Sequence, residues 1–515
     1  MGFFSRRNCV SFSEENWLMK QVWLWCLIWV SAWNVAAAQQ RGRMDYRVEV
    51  SAFAGEGGRA PLWLSANRYG LYGVKDRQVA LRTGLGYRQS LTADWKVEAG
   101  LELAGGWGLV SDCWLQQAFA EVEWKDLQLR VGSKECPGFP LEKNPQLSSG
   151  WMVEGMNARP IPQVRLEVPQ FWSVPGLGDW LALKGHLAYG RFLDGEWQEG
   201  FVAYNRLYTK EVHYHSKSVL FRLGKRRAFP LELEFGLLMA NQFGGKQYRM
   251  NGNGEGVLLH VMPAGWKSYW RALLPQRADA SNPIQGEQNN IEGNVVGSWN
   301  FALNGYVGDW RLRTYYEHYF EDHSQMFWQY GRWKDGMLGV EVTPPANRWL
   351  NACVWEMVCT KDQTGPFEAY SSYWPGEDFL LSGGDNYYNH YVYQAWQYYG
   401  MGMGNPLIPG PIYNVDGALT FRSNRVKGHH VGLGGCPSKE WNWRMLASWV
   451  RHWGTYSVPL DKQRKQFSGL VEVTFCPSKM KGWRLSASVA LDRGKYLGNS
   501  WGGMISLSKS GGFGL

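Results

Sequence analysis

After Ala38 the sequence contains no stretch approaching the roughly 20 consecutive apolar residues that a membrane-spanning helix needs. That excludes a helical membrane protein over the rest of the chain. Cysteine is scarce: Cys9 and Cys26 precede Ala38, and only Cys113, Cys136, Cys353, Cys359, Cys436 and Cys476 follow it. So few cysteines in so long a chain make no disulfide scaffold. Cys353 and Cys359 stand too far apart along one strand to bond each other. Cys436-Pro-Ser-Lys and Cys476-Pro-Ser-Lys are look-alike turns without metal-ligand spacing. The motifs H-E-x-x-H and G-x-x-x-x-G-K-[ST] are absent, which removes common signatures of metalloproteases and phosphate-loop enzymes. Heptads, low-complexity linkers and repeats of solenoid period are missing as well. The formal charge of +9 is not gathered into a Lys/Arg block or a nucleic-acid module, so no nucleic-acid partner is expected. An acidic ligand or anionic lipid headgroups suit that charge better.

What is present begins with a leader. Arg6, Arg7 and Lys20 precede the apolar run Val22–Trp33, and Ala36-Ala37-Ala38 follows, the order of a secretory signal cut after Ala38. Residues 1–38 are therefore expected to be a signal peptide and 39–515 one domain, with net charge +8 once Arg6, Arg7, Lys20, Glu14 and Glu15 are removed. An exported chain without spanning helices can be a membrane protein only as a closed barrel. The 30 Trp, 26 Tyr and 22 Phe beside 62 Gly fit a barrel with aromatic girdles, and fit sugar binding equally.

The most informative segment is Gly297–Tyr319. Read at period two, Trp299, Phe301, Leu303, Trp310, Leu312 and Tyr316 share one face, and Asn300, Arg311, Arg313, Tyr315 and Glu317 the other. The turn is Tyr306–Asp309. Alone, this hairpin suits a soluble sandwich or a lipid-facing barrel equally. The whole chain decides. Strands are predicted at Tyr46–Phe53, Val79–Leu91, Trp95–Ala104, Leu115–Trp124, Leu127–Val131, Ile161–Val168, Trp180–Gly190, Ser216–Gly224, Leu231–Ala240, the two hairpin arms, Met337–Thr343, Leu350–Thr360, Val426–Gly435, Asn442–Trp453, Gln466–Phe475, Trp483–Asp492 and Gly503–Lys509. Short turns and long connections alternate between them. The expected fold is all-β: one closed antiparallel transmembrane barrel of about 18 strands, with Arg311, Arg313 and Glu317 as polar lumen residues.

Catalytic candidates are thin. Glu317, His318, Glu321, Asp322 and His323 could hold a cation or supply acid and base, but read more simply as a hydrated loop mouth. His215 and Ser216 are adjacent on a strand and point to opposite faces, so they cannot form a nucleophile-base pair. No catalytic residue, metal or cofactor is expected. The long connections are rich in aromatics: Trp328, Tyr330, Arg332, Trp333, Tyr373, Trp374, Tyr387, Tyr388 and Trp396 are the candidate carbohydrate-binding residues, since sugar C–H faces stack on Trp and Tyr. Clustered aromatics of this kind otherwise pack a plug.

Ten short motifs in order, ANRYGL (Ala66–Leu71), VGSKE (Val131–Glu135), ARPIPQVR (Ala158–Arg165), KGHLAYGRFLDGEW (Lys184–Trp197), YHSKS (Tyr214–Ser218), YYEHYFEDHS (Tyr315–Ser324), TKDQTGP (Thr360–Pro366), DNYYNH (Asp385–His390), GMGNPL (Gly402–Leu407) and LDRG (Leu491–Gly494), resemble the capsule assembly Wzi family in its Bacteroidetes-type form. The resemblance runs from about Val48 to Gly512. It implies an eighteen-stranded outer-membrane barrel that binds capsular polysaccharide and helps organise it on the surface, closed to free diffusion by loops and a periplasmic helical bundle; the expected partners are that polysaccharide and outer-membrane lipid, and the expected state is a monomer. The sequence departs from that pattern in two ways. No amphipathic helical run precedes the first strand, so a plug either comes from Phe53–Gln78 or Lys361–Arg425 or is absent. Phe513-Gly514-Leu515 also stands where many barrels end in an aromatic residue. A diffusion channel is the alternative function, and a barrel hydrolase a third.

Overall fold

Period-two alternation sends one face of each strand inward and the other outward, and here the pattern closes on itself. The computed structural model describes residues 42–136, 140–225, 229–278, 280–288, 291–321, 326, 334–363, 369–374, 377–381 and 385–515. The predicted signal peptide lies outside them. The wall consists of β1 (Arg43–Glu56), β2 (Arg77–Ser90), β3 (Trp95–Trp107), β4 (Cys113–Trp124), β5 (Leu127–Ser133), β6 (Gln163–Ser173), β7 (Leu181–Arg191), β8 (His213–Leu223), β9 (Leu231–Phe243), β10 (Asn294–Val307), β11 (Trp310–Glu321), β12 (Gly336–Thr343), β13 (Ala352–Cys359), β14 (Val426–Gly435), β15 (Trp441–Gly454), β16 (Pro459–Phe475), β17 (Trp483–Gly494) and β18 (Ser500–Gly514). Each strand pairs antiparallel with the next, and β18 returns to β1 from Arg43↔Gly514 to Glu56↔Trp501. The sheet therefore has no edge and leaves no unpaired ladder to lipid.

Every predicted strand is present, with ends moved by a few residues. The largest shift is in β16, which starts at Pro459 rather than Gln466. In the hairpin, Asn300 faces Glu317 and Asn304 faces Arg313 on the inside, while Phe301 faces Tyr316 and Leu303 faces Thr314 outside. Val50, Leu81, Leu85, Leu101, Leu115 and Leu233 belong to an exposed apolar outer band. At the short-turn end the band is bordered by aromatics: Trp95 opposes Trp124 with ring centroids 6.1 Å apart, and Trp441 packs on Phe475 at 4.6 Å. Such girdles mark a membrane-water boundary. The two Cys-Pro-Ser-Lys turns are neighbours here, since Glu440 before β15 accepts the Ser478 N–H at 2.8 Å. All six cysteines after Ala38 are free.

Several of the long connections fold into the barrel. Residues 57–76 carry α1 (Leu62–Ser65), 192–212 carry α2 (Gly195–Phe201), and 244–293 carry α3 (Trp266–Leu273) and α4 (Gln285–Gln288). Trp63, Leu71, Leu141, Met152, Trp396 and Leu407 pack together with inward wall residues such as Ala80, Tyr315 and Val354. The plug thus draws on both expected segments and on a third, residues 134–162, which the sequence marks only as a connection. Among the described residues the helices all lie in these long connections, so the helical bundle implied at the short-turn end is not among them.

Candidate functional site

Carboxylates on the inner wall hold the plug through its backbone. Glu317, Glu341 and Glu356 project inward from β11, β12 and β13. Glu341 accepts the Asn144 N–H at 3.2 Å, Glu356 the Ser149 N–H at 2.6 Å and the Ser148 hydroxyl at 2.7 Å, and Glu317 the Met152 N–H at 3.1 Å. The Lys143 ammonium pairs with Glu317. Across the barrel, Arg68 of the plug reaches Glu472 at 3.0 Å, and Glu472 also accepts Arg444 at 2.8 Å. Asp492 accepts the Leu62 N–H at 3.0 Å. A buried carboxylate is costly unless donors surround it, and the plug supplies those donors. Three residues of the ten sequence motifs, Arg68, Glu317 and Asp492, lie at such contacts.

Of the polar lumen positions, Arg313 is buried, with both terminal guanidinium nitrogens on Glu234 at 2.8 Å and a further bond to the Asn304 side-chain oxygen at 2.7 Å. Its Nε reaches the Glu142 carbonyl at 3.2 Å. Arg311 is half-buried and bonds Asn304 at 3.3 Å.

The structure distributes the aromatic candidates unevenly. Trp328, Tyr330, Arg332 and Trp333 lie outside the described residues. Tyr373 and Trp374 belong to a small hairpin, Ala369–Trp374 paired with Glu377–Leu381. Tyr387, Tyr388 and Trp396 are fully buried: the Trp396 indole donates to the Val153 carbonyl at 2.8 Å, and Tyr387 and Tyr388 pack on Tyr319 at 4.8 and 5.0 Å. In this arrangement their rings meet protein. The explanation is polar as well as apolar, because strands β11 to β13 turn their carboxylates inward and something must cover them.

Glu317 and Glu321 are likewise engaged, Glu321 accepting the Tyr319 hydroxyl at 2.6 Å and the Tyr388 N–H. Asp322 and His323 lie outside the described residues. Among the described residues no cluster of three or more His, Cys, Asp or Glu is placed to hold a metal. Ser216 does meet a histidine, but it is His186 of the neighbouring strand, whose two ring nitrogens contact Ser216 at 2.8 Å and Ser218 at 2.7 Å. Ser216 donates in turn to Glu154 at 3.0 Å. His215 faces outward, its Nδ1 on the Ala188 carbonyl at 2.9 Å. Cross-strand register, invisible in the sequence, makes this contact. His186 is buried.

Burial raises the pKa of Glu154 in the plug, against the bonds from Tyr214 and Ser216. Burial also lowers Arg159 to about 10. Its guanidinium lies 4.0 Å from the ring centre of Trp114 and 4.2 Å from that of Tyr399. Beside these groups is a cavity of about 100 Å³. Below the plug the lumen opens at the short-turn end into recesses of about 660 and 550 Å³, lined by Arg43, Arg47, Arg88 and Lys96 with Asp45, Glu98 and Glu123.

On the loop-bearing end, sequence reasoning missed one exposed group. Tyr204 is 71% exposed, and two residues on, Arg206 pairs with Asp416 at 2.8 Å. Arg422 also pairs with Asp416, and the Ala203 N–H bonds the Gly417 carbonyl at 3.2 Å, joining two long connections. Tyr204 falls outside the densest aromatic runs, so composition gave no signal.

A closed, edgeless barrel with an apolar exterior, aromatic girdles and a lumen filled by its own connections defines the class: an outer-membrane-type β-barrel. Among solved structures the chain is similar to Wzi, an outer-membrane protein involved in group 1 capsule assembly in Escherichia coli and described as a carbohydrate-binding β-barrel, with TM-score 0.52, 14% identity, and coverage of 96% of this chain and 89% of that one. It is also similar to OccAB4 of Acinetobacter baumannii (TM-score 0.46, 8% identity, covering 93% and 100%) and OccK1 of Pseudomonas aeruginosa (TM-score 0.46, 9% identity, covering 92% and 99%). No protein-family model and no curated protein sequence matches the chain.

Proposed function

We propose that this protein is an outer-membrane barrel of the Wzi kind, exported by residues 1–38, that binds capsular or other surface polysaccharide on its loop face and assists its attachment there without catalysis. The observation that carries the proposal is the plug: the wall's inward carboxylates are committed to holding loops in place, which favours a fixed outer surface over a conduit. The ten ordered motifs and the carbohydrate-binding description of the Wzi barrel support the same reading. Tyr204 offers a stacking platform, while Arg206, Asp416 and Arg422 offer the charged donors and acceptors that read hydroxyls and carboxylates.

The test is binding of the purified barrel to the organism's own capsular polysaccharide. Replacing Tyr204 and Arg422 together by Ala should weaken binding about tenfold, the loss of one stacking and one charged contact. Absence of binding by the unaltered protein, together with normal capsule attachment in a deletion strain, would sink the proposal. A diffusion channel remains the second reading, favoured by the charged, arginine-bearing recess at the short-turn end.

A further inference from the structure

Strands β14 to β17 lie side by side, and at the long-connection end their inward residues Val426, His430, Val450, His452, Gln466 and Asp492 are buried. The outward residues carry charge of one sign. Lys427 lies directly opposite Arg451, and Arg451 directly opposite Lys465. Lys495 continues the row, its N–H bonded to the Lys465 carbonyl at 2.9 Å. The next row toward the middle of the wall is His429, Trp449, Phe467 and Arg493. Lys427, Arg451, Lys465, Arg493 and Lys495 are all exposed, and none pairs with a carboxylate of the described residues.

Directly opposite side chains on a sheet have Cβ atoms about 5 Å apart, so three cations in line repel one another. Along β16 the nearest acid on that face is Asp461, four residues beyond Lys465 and about 13 Å away at roughly 3.3 Å per residue. Asp335, near the Lys427 end of the row, is buried and accepts the Asp362 N–H at 3.0 Å. The row therefore lacks an internal counter-ion. Immediately below it the wall is apolar: Val471, Val489, Leu491 and Trp501 are exposed, and the rings of Trp449 and Phe467, 5.2 Å apart, stand at the border. The cations and these two rings line a recess of about 740 Å³.

From this geometry we infer a lipid site on the outer wall, in which the cationic row of Lys427, Arg451, Lys465 and Arg493 binds the phosphates of an acylated, phosphorylated glycolipid. The acyl chains lie along Val471, Val489 and Leu491, and the sugar meets Trp449 and Phe467. A neutral lipid would leave the row unscreened, and a free anion would leave the apolar strip unused. The long-connection end is the extracellular end of such barrels, so the row meets the outer leaflet. The site rests on the outer-membrane placement proposed above but not on sugar binding by the loops.

The test uses the full folded barrel in detergent, with native mass spectrometry against three probes: bisphosphorylated lipid A, the same lipid dephosphorylated, and phosphatidylglycerol. We expect retention of bisphosphorylated lipid A, and at least about tenfold less of the dephosphorylated form or in the K427Q/R451Q/K465Q/R493Q variant, since each cation contributes attraction to an anionic headgroup. Heat-modifiable gel mobility reports whether the variant folds; if it does not, R451Q/K465Q should show a partial loss. Capsular polysaccharide binding should be unchanged in either variant, which separates this site from the loop face. Equal retention of lipid A by a folded variant, or of phosphatidylglycerol by the unaltered protein, would overturn the assignment.

Discussion

Arg313 shows what a single inward side chain does in this wall. Its guanidinium bridges Glu234 of β9 and the Glu142 carbonyl of the plug, with only 3% of the side chain exposed. Replacing it by Ala strands the Glu234 carboxylate and should cost about 3–5 kcal/mol. A lowered urea midpoint in detergent measures this, and the double change Arg313→Met/Glu234→Leu should cost far less. Asp194 is the second informative residue. It precedes α2 and accepts Gln397 Nε2 at 3.0 Å and the Tyr399 N–H at 3.2 Å. Burial pushes its pKa up to about 6 against those bonds. Between an ordinary carboxyl value near 4 and 6, the folded form holds the extra proton, so this group's stabilising contribution is present at low pH and is lost as pH rises through 6. Protease resistance of the 192–212 connection should therefore be greater at pH 5 than at pH 7.5. Asp194→Asn should flatten that difference.

At the scale of elements, the strands were legible because one periodicity governs each of them. A polar face and an apolar face alternate along Trp310–Tyr316 whatever the neighbours are, so the sequence alone orients Arg313 and Tyr315 inward. The plug was not legible for the opposite reason. Residues 134–162 have no period; their position is fixed by backbone N–H groups meeting Glu317, Glu341 and Glu356 from strands far away in the chain. The same limit applies to Tyr387, Tyr388 and Trp396, whose composition suits a ligand platform and a packed interior equally. Helix α3 is a third case. Its carbonyls at Ala272 and Leu273 accept the Lys217 ammonium of β8 at 2.7 and 2.6 Å, while Trp266 is 82% exposed. A cation at a helix C-terminus is stabilising, and here it ties the helix to the outer wall.

At the scale of the molecule, wall and plug are one polar system. The wall's carboxylates need the plug's donors, and the plug, built largely of irregular backbone, needs those acceptors. Excising residues 140–158 should leave an assembled barrel with a passage through it. In planar bilayers the unaltered protein should give little current and the excised one a steady open conductance. Large conductance from the unaltered protein would instead favour the diffusion-channel reading.

The seam between β1 and β18 carries one more consequence. Arg43 and Gly514 are paired neighbours at the short-turn end, and every other strand junction at that end is a brief turn. The wall is thus a ring in which the place of the chain break is arbitrary. Joining Gly514 to Arg43 through a short linker and opening the chain at Gly308-Asp309 instead would preserve every strand pair and every plug contact. Such a circular permutant should reach the same barrel by a different order of synthesis, closing last between β10 and β11.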